Sequence, residues 1–248
     1  MSDIKKLLRN AISKKPSGNV IGFGNAFSLN NSNLDELIGG LRPGQVALAS
    51  CEMHQVNLSW AIQILHEASV LRKRPALLCT RKYTPSDVIA FLVANAANVS
   101  IASIYVGDVS DDDQLYVADA IRAIGASRMH IVQEVAPEDI KYALNNADDA
   151  IVVMMADSGL SVSDAVGTAR RIAMECSAAV LVLAEGERSM DGLLGRVEVA
   201  IQLSVHEPTK TQSFVYPIVF NVVKSPIVRG AIRARFYPRS ARISFNSW

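Results

Sequence analysis

The chain has 248 residues, which is long enough to bury a sizeable core. Half of the residues are apolar and a fifth are charged, a composition that excludes a disordered protein. No apolar run reaches the roughly 18–20 residues of a membrane-spanning helix, and the N-terminus lacks the pattern of a secretory signal. The three cysteines are far apart and show no paired spacing, which predicts no disulfide framework and no metal site, and favours the reducing cytoplasm.

The formal net charge is only +1, but the charges are unevenly distributed. Both ends of the chain are basic: residues 1–20 carry five cations against Asp3 alone, and no acidic residue follows Glu207. The middle of the chain is acidic, with Asp108 and the run 111–113 close together. This pattern predicts an anionic partner or the acidic face of a neighbouring subunit. The alternative is simple charge balance across one folded surface.

Residues 3–14 have the apolar spacing of an amphipathic helix. Its apolar side defines a candidate subunit interface, formed by Ile4, Leu7, Leu8 and Ile12. Pro16 and Gly18 end the pattern, and a polar linker follows. We therefore expect an N-terminal helix and linker arm over residues 1–20 and one domain over residues 21–248.

From residue 34 onward, helical and strand patterns alternate. The predicted helices are 34–38, 56–72, 86–95, 111–124, 137–146 and 161–176. The predicted strands are 45–50, 75–80, 101–107, 129–133, 150–156, 178–185, 197–205, 214–224 and 231–237. Alternating βα units predict an α/β fold with a mainly parallel sheet covered on both faces. The last strands follow one another without helices, so we expect them to be antiparallel at one edge.

Two phrases narrow the fold further. The first, SNLDELIGGLRPGQVALAS, places a short helix, a Gly39-Gly40 stop and a Pro43-Gly44 turn before a buried strand. The second, FNVVKSPIVRGAIRARFYPRSARISF, gives a strand, Lys224, a glycine turn and a last strand with an Arg/aromatic ending. Together they resemble the RecA-like motor domain of DnaB-type replicative helicases and of the related RadA and KaiC proteins. The resemblance spans about residues 18–245 and implies a RecA-like P-loop NTPase core.

The resemblance also shows which residues stand at the nucleotide-binding positions. A phosphate-binding loop needs glycines, a lysine for the phosphates and a Ser/Thr for Mg²⁺. The loop after the first core strand instead contains Glu52, His54, Gln55, Asn57 and Leu58, with Asn57 at the expected lysine and Leu58 at the expected Ser/Thr. No GxxxxGK[ST] sequence occurs elsewhere in the chain.

The other catalytic positions implied by the resemblance have changed as well. Arg81 lies in the tetrad where a catalytic glutamate is expected, and Met154 stands at the place of a metal-binding aspartate. Lys224 matches the finger lysine, but Pro226 replaces its partner arginine, for which Arg229 could substitute after a shift. These replacements predict a pseudo-ATPase that has no catalytic residues and uses neither cofactor nor metal.

The C-terminal strand carries a second candidate site. Alternation over residues 231–237 predicts that Arg233 and Arg235 share one face and that Ile232, Ala234 and Phe236 share the other. The candidate nucleic-acid or partner contacts are Arg229, Arg233, Arg235, Tyr237, Arg239 and Arg242. The alternative is an edge strand that its charges protect from aggregation.

Three functions stay open from the sequence. The first is a homo-oligomeric ring or filament, or a replication accessory factor that associates with a helicase; in helicases of this type the appended helix packs on the neighbouring subunit. The second is a protein that binds single-stranded DNA or other nucleic acid through its basic C-terminal surface. The third is an atypical ATPase in which Lys82 or Lys224 supplies the missing charge.

Overall fold

The structure is a computed structural model that describes residues 25–133, 136–144, 149–156, 160–186, 190, 192–208 and 214–245. The predicted arm, including Ile4, Leu7, Leu8 and Ile12, lies outside the described residues.

Helices and strands alternate along most of the described chain. The helices are α1 (Ser32–Ile38), α2 (His54–Leu65), α3 (Pro85–Ala97), α4 (Ile101–Val106), α5 (Asp111–Gly125), α6 (Pro137–Ala143) and α7 (Val162–Glu175). The strands are β1 (Val46–Cys51), β2 (Ala76–Cys79), β3 (Met129–Val132), β4 (Ile151–Ala156), β5 (Ala179–Glu185), β6 (Val199–Val205), β7 (Tyr216–Lys224), β8 (Gly230–Tyr237) and β9 (Arg242–Ser244). A π-helical turn (His66–Leu71) extends α2, and 3-10 turns span Leu194–Arg196 and Pro238–Ser240.

All nine strands form one mixed sheet in the order β3-β2-β4-β5-β1-β6-β7-β8-β9. The six strands from β3 to β6 are parallel, and β7, β8 and β9 continue the sheet in antiparallel pairing. The α/β fold with antiparallel closing strands is therefore confirmed. Strand β1 has a partner on each side and six buried residues, as expected of a central parallel strand.

Two apolar clusters cover the two faces of the sheet. On one face α2 and α3 pack over the sheet, and Trp60 of α2 meets Phe220 of β7 edge to face at 5.1 Å between ring centroids. On the other face α7 packs over β5, β4 and β1, with Ile172 and Val166 buried against them. This second cluster reaches only as far as Ala200 of β6 and Val223 of β7, and none of the described helices packs on this face over β8 or β9.

The structure corrects two predictions about secondary structure. The segment 101–107, predicted to be a strand, forms helix α4, which ends at Gly107 in the left-handed conformation (φ 73°) and packs on α3. Its β-branched residues favour a strand only where a sheet partner exists, and here the segment lies between two helices. The three-residue strand β9 was not predicted separately from the tail that contains it.

Gly39 and Gly40 join helix α1 to the rest of the domain at two close contacts. Both have positive φ values, 80° and 67°, which non-glycine residues rarely adopt. A Cβ on Gly39 would lie 2.6 Å from Cδ1 of Ile227, and one on Gly40 would lie 2.9 Å from Cβ of Ala26. The glycine pair therefore serves the packing of α1 against the β7–β8 connection and the bridge from Phe27 to Leu41.

Polar contacts hold the segment that begins at Asn25 against the rest of the domain. Arg74 donates to the backbone carbonyls of Asn25 and Ala26, and its guanidinium stacks on the Phe27 ring. Asp35 accepts hydrogen bonds from the Ser28 hydroxyl at 2.5 Å and from the Leu29 amide at 2.9 Å. Burial raises the pKa of Asp35 to about 6, since desolvation outweighs these hydrogen bonds.

This shift predicts a pH-dependent contribution of Asp35 to stability. A carboxyl whose pKa is raised in the folded state contributes stability below its unfolded pKa, and that contribution is lost as the pH rises through about 6. Asp35→Asn keeps a neutral hydrogen-bonding group and does not titrate. We compare the unfolding free energy of the parent with that of the variant. The difference, parent minus variant, should decrease by on the order of 1–2 kcal/mol when the pH is raised from 4 to 7. Urea unfolding at both pH values measures this; a pH-independent difference contradicts it.

Candidate functional site

The carboxyl ends of the parallel strands form the edge where open α/β sheets usually bind ligands. Here β1 ends at Cys51 and α2 begins at His54, so only Glu52 and Met53 connect them. The amides of Val56 and Asn57 both donate to the Met53 carbonyl as part of the first helical turn. A connection this short and without glycine does not provide the wrap of successive amides that surrounds a phosphate.

Asn57 occupies the interior just beyond this connection. It is 1% exposed, and its Nδ2 donates to the carbonyl oxygen of Ala184 in β5 at 2.9 Å. Its Oδ1 is buried and has no hydrogen-bond partner among the described residues. The resemblance places a lysine at position 57. Here a neutral asparagine stands there, and its amide hydrogen-bonds a backbone carbonyl of β5.

The remaining positions of the predicted loop divide between surface and core. Glu52 and Gln55 are exposed and His54 is half-buried at the start of α2, whereas Leu58 is fully buried in the apolar cluster. Burial also raises the pKa of the neighbouring Cys51 thiol to about 11, which keeps it protonated and unreactive at neutral pH. Ser50 and Cys51 are thus the buried groups at the end of β1, and no acidic or basic side chain of the predicted loop is buried beside them.

An ion pair crosses the same edge of the sheet. Nζ of Lys82, which follows β2, lies 3.1 Å from Oε1 of Glu185 at the end of β5. Strand β4 lies between β2 and β5, so the pair passes over the end of that strand. Arg81 lies exposed beside it. Both partners are partly exposed, so the pair adds little stability, but it places opposite charges together where a phosphate group would need unpaired cations.

Met154 and Lys224 are placed differently from the other predicted positions. Met154 is fully buried in the cluster under α7, so its thioether faces the core and offers no hard ligand for a metal.

Lys224 pairs with Ala200 at the start of β6, so it lies at the amino ends of the parallel strands, whereas Asn57 lies at their carboxyl ends. Its Nζ donates to the carbonyls of Leu194, at 2.6 Å, and Val197. Within one chain, the structure does not bring Lys224 to the other positions.

The C-terminal arginines follow strand β8 as the alternation predicted. Ile232, Ala234 and Phe236 are buried, while Arg233 is exposed and Arg235 is half-buried on the other face. The other members of the predicted set are spread along and around this strand: Arg229 precedes it, Tyr237 ends it, Arg239 lies in the following 3-10 turn, and Arg242 begins β9. Arg242 Nη1 reaches Asn98 Oδ1 at 3.3 Å, so it bends round the sheet edge toward α3. The set is therefore not one flat row.

Sequence reasoning missed the two contacts that occupy the carboxyl edge. The Asn57–Ala184 hydrogen bond and the Lys82–Glu185 ion pair join residues 127 and 103 positions apart. Their polar residues stand at strand ends in the sequence, which was the available signal, but their pairing follows only from the strand order.

No group of three or more His, Cys, Asp or Glu side chains in the described residues is arranged to hold a metal ion. No helix in the described part of the chain is long and apolar enough to cross a membrane.

The nine-stranded sheet, with helices on both faces and an antiparallel end, is the architecture of a RecA-like α/β domain. Comparison with solved structures finds this fold in helicase ATPase domains. The ATPase domain of G40P matches with a TM-score of 0.76 at 12% sequence identity, over 99% of this chain and 98% of that one.

A DnaB-like replicative helicase, reported with its interactions with primase, matches with a TM-score of 0.75 at 11% identity. That match covers all of this chain and 67% of the helicase chain. No protein-family model and no curated protein sequence matches the chain. The chain thus has the fold of a DnaB-like helicase ATPase domain over nearly its whole length.

The packing around Asn57 predicts the outcome of restoring a lysine there. Asn57→Lys places an ammonium group in a buried position with one backbone carbonyl as its available acceptor, so we expect destabilisation by about 2–4 kcal/mol. Asn57→Leu is the matched control, because leucine has about the volume of lysine but no charge. It should cost about 1–2 kcal/mol, since the Ala184 carbonyl loses its hydrogen-bond donor.

Thermal melting with and without Mg-ATP measures both effects. We expect neither variant to be stabilised by the nucleotide, because the connection before α2 offers no phosphate cradle. A rise in the melting temperature of Asn57→Lys on adding Mg-ATP contradicts this account of the edge.

Proposed function

We propose that this chain is a non-catalytic relative of helicase ATPase domains that works by assembly, either with copies of itself or with a helicase. One observation carries the proposal: the protein's own Asn57–Ala184 and Lys82–Glu185 contacts occupy the carboxyl edge of the sheet. The fold keeps its helices and sheet, so the surfaces through which such a domain contacts neighbours are retained even where catalysis is lost.

The atypical ATPase is the weaker alternative because neither candidate lysine is placed to replace the missing one. Lys82 is paired with Glu185, and Lys224 is held by two backbone carbonyls at the other edge of the sheet. Phosphoryl transfer depends on cations and a metal held around the phosphates. Using either lysine would require breaking its present contacts.

The proposal predicts no nucleotide turnover. Purified protein should release no phosphate from ATP or GTP above the buffer rate, with or without single-stranded DNA, and should not bind a fluorescent ATP analogue in an equilibrium titration. Turnover that co-purifies with the protein and is abolished by Lys82→Ala or Lys224→Ala contradicts the proposal, because a contaminating ATPase would not respond to these substitutions.

Helix α5 offers a surface that fits the N-terminal arm. Leu115, Ala118 and Ile121 recur three residues apart along one side of α5, and all three are exposed. The helix begins with three consecutive aspartates, 111–113. Residues 1–15 combine apolar positions with five cations, so they match this surface in both apolar character and charge. We therefore assign the α5 side as the docking surface for the arm of a neighbouring copy.

Removing residues 1–15 should lower the oligomeric mass, because it deletes the apolar stripe together with its charges. Leu115→Glu with Ile121→Glu should give the same loss in the full chain, since it disrupts the surface that receives the arm. The matched control is Tyr142→Glu with Met174→Glu, which changes two large residues on α6 and α7 that are even more exposed than Leu115 and Ile121. Mass photometry reads all four proteins. If the truncated chain keeps the full-length mass, the arm packs on its own domain.

A further inference from the structure

The antiparallel end of the sheet has one face that no described helix covers. Strands β6, β7 and β8 bury Leu203, Phe220 and Ile232 on the side of α2, and their alternate residues point to the other side. We call this second side the outer face. Its members are Gln202 and Ser204 of β6, Val219 and Asn221 of β7, and Arg233 and Arg235 of β8.

The outer face carries polar side chains that the fold itself does not use. Gln202 lies directly opposite Asn221 in the β6–β7 register, and Ser204 lies opposite Val219 in the next row. All of these side chains are half-buried, yet the side chains of Gln202, Ser204 and Asn221 make no hydrogen bond within the described part of the chain. Half-buried amides and hydroxyls of this kind are available to hydrogen-bond a ligand lying on the sheet.

Positive charge borders this polar row on one side. Arg233 is opposite Val219 and Arg235 is opposite Pro217, so the Cα atoms of the two arginines lie about 7 Å apart along β8. Strands β7, β8 and β9 contain no acidic residue, and no described acidic side chain forms an ion pair with Arg229, Arg233, Arg239 or Arg242. On β7 the two arginines face Val219 and Pro217, and the polar pair Gln202–Asn221 lies in the next row along the strands, opposite Ala231.

We propose that the outer face of β6–β8 binds single-stranded nucleic acid, with Arg233 and Arg235 contacting phosphates and with Gln202 and Asn221 hydrogen-bonding exposed bases. A polyanion provides acceptors for Arg233, which has no ion pair among the described residues, and unpaired bases offer donors and acceptors to the amide pair. The inference does not depend on whether the chain assembles or whether it hydrolyses ATP.

The shape of the face favours a single strand over a duplex. In a duplex the base edges lie within grooves that admit a helix or a two-stranded ribbon, and a face three strands wide cannot enter them. The amide pair in the middle of the face would then contact only the phosphate backbone. A single strand can lay its phosphates along β8 and turn its bases toward β7 and β6.

The test is fluorescence anisotropy of the full chain with a labelled oligothymidine, and with a duplex of equal length, across a range of salt concentrations. We expect the parent to prefer the single strand and to lose affinity steeply with salt. Arg233→Glu with Arg235→Glu should weaken binding by roughly 100-fold and reduce the slope of log affinity against log salt by about 1.4, which corresponds to two lost phosphate contacts.

A second variant separates base contacts from charge. Gln202→Ala with Asn221→Ala should lower affinity by roughly tenfold and leave the salt slope unchanged, because no phosphate contact is removed. The matched control, Lys141→Glu with Arg171→Glu, makes the same change in net charge on α6 and α7 and should alter affinity by less than about threefold. Melting temperatures confirm that each variant is folded.

Several outcomes would overturn the proposal. Weak or salt-insensitive binding by the parent excludes it, as does equal affinity for duplex and single strand. An equal loss of affinity in the control variant would mean that net charge alone drives binding. If Arg233→Glu with Arg235→Glu changes the oligomeric mass but not the affinity for oligothymidine, the outer face binds an acidic protein surface instead.

Discussion

The two-residue connection from β1 to α2 constrains most of what this protein can do. Because β1 is the central strand, its carboxyl end lies where a RecA-like domain has room for a ligand. Here the helix begins almost at once, and its first turn carries the Asn57 amide to the Ala184 carbonyl. A phosphate entering this position would leave that buried carbonyl without a donor and would meet no replacement cation. The Asn57–Ala184 contact thus closes the interior behind β1, which is the basis of the proposal that the chain does not turn over nucleotides.

The sequence predicted the sheet well because parallel strands are buried on both faces and give continuous apolar runs. Segment 101–107 was predicted wrongly because its four β-branched and aromatic side chains favour a strand locally, whereas it forms a helix that packs against α3 and ends at Gly107. Strand β9 is three residues long and exists only through its pairing with Tyr237, Phe236 and Arg235. Such short elements have no periodicity to detect.

The candidate site was predictable to a smaller extent. The sequence identifies which residues stand at the nucleotide positions once the resemblance is accepted, but not what those residues contact. Lys224 illustrates the limit, since the resemblance matched it to the finger lysine but did not say where it lies in its own chain, which the pairing with Ala200 shows to be the amino edge of the parallel strands. The outer face of β6–β8 shows the opposite case: alternation predicted the arginine side of β8, while the polar row beside it depends on the pairing of β6 with β7.

The surface of α5 that we propose as the docking site of the arm and the outer face of β6–β8 lie on opposite sides of the sheet. Helix α5 packs with α3 on the side of α2, whereas Arg233 and Arg235 point away from that side. The acidic start of α5 is therefore separated from the arginines by the thickness of the domain. Because the two surfaces do not overlap, a neighbouring subunit and a polyanion could be bound together, and substitutions in one should not directly disturb the other.

The glycine pair at the end of α1 bears on how proteins of this kind are recognised. A side chain on Gly39 or Gly40 would collide with Ile227 or Ala26, and neither of these neighbours belongs to the carboxyl edge of the sheet. Any chain that packs a short helix against the β7–β8 connection in this way needs the same two residues, whether or not it handles nucleotides. The phrase around them therefore reflects how α1 packs, at a distance from the nucleotide positions, and its presence alone does not predict turnover.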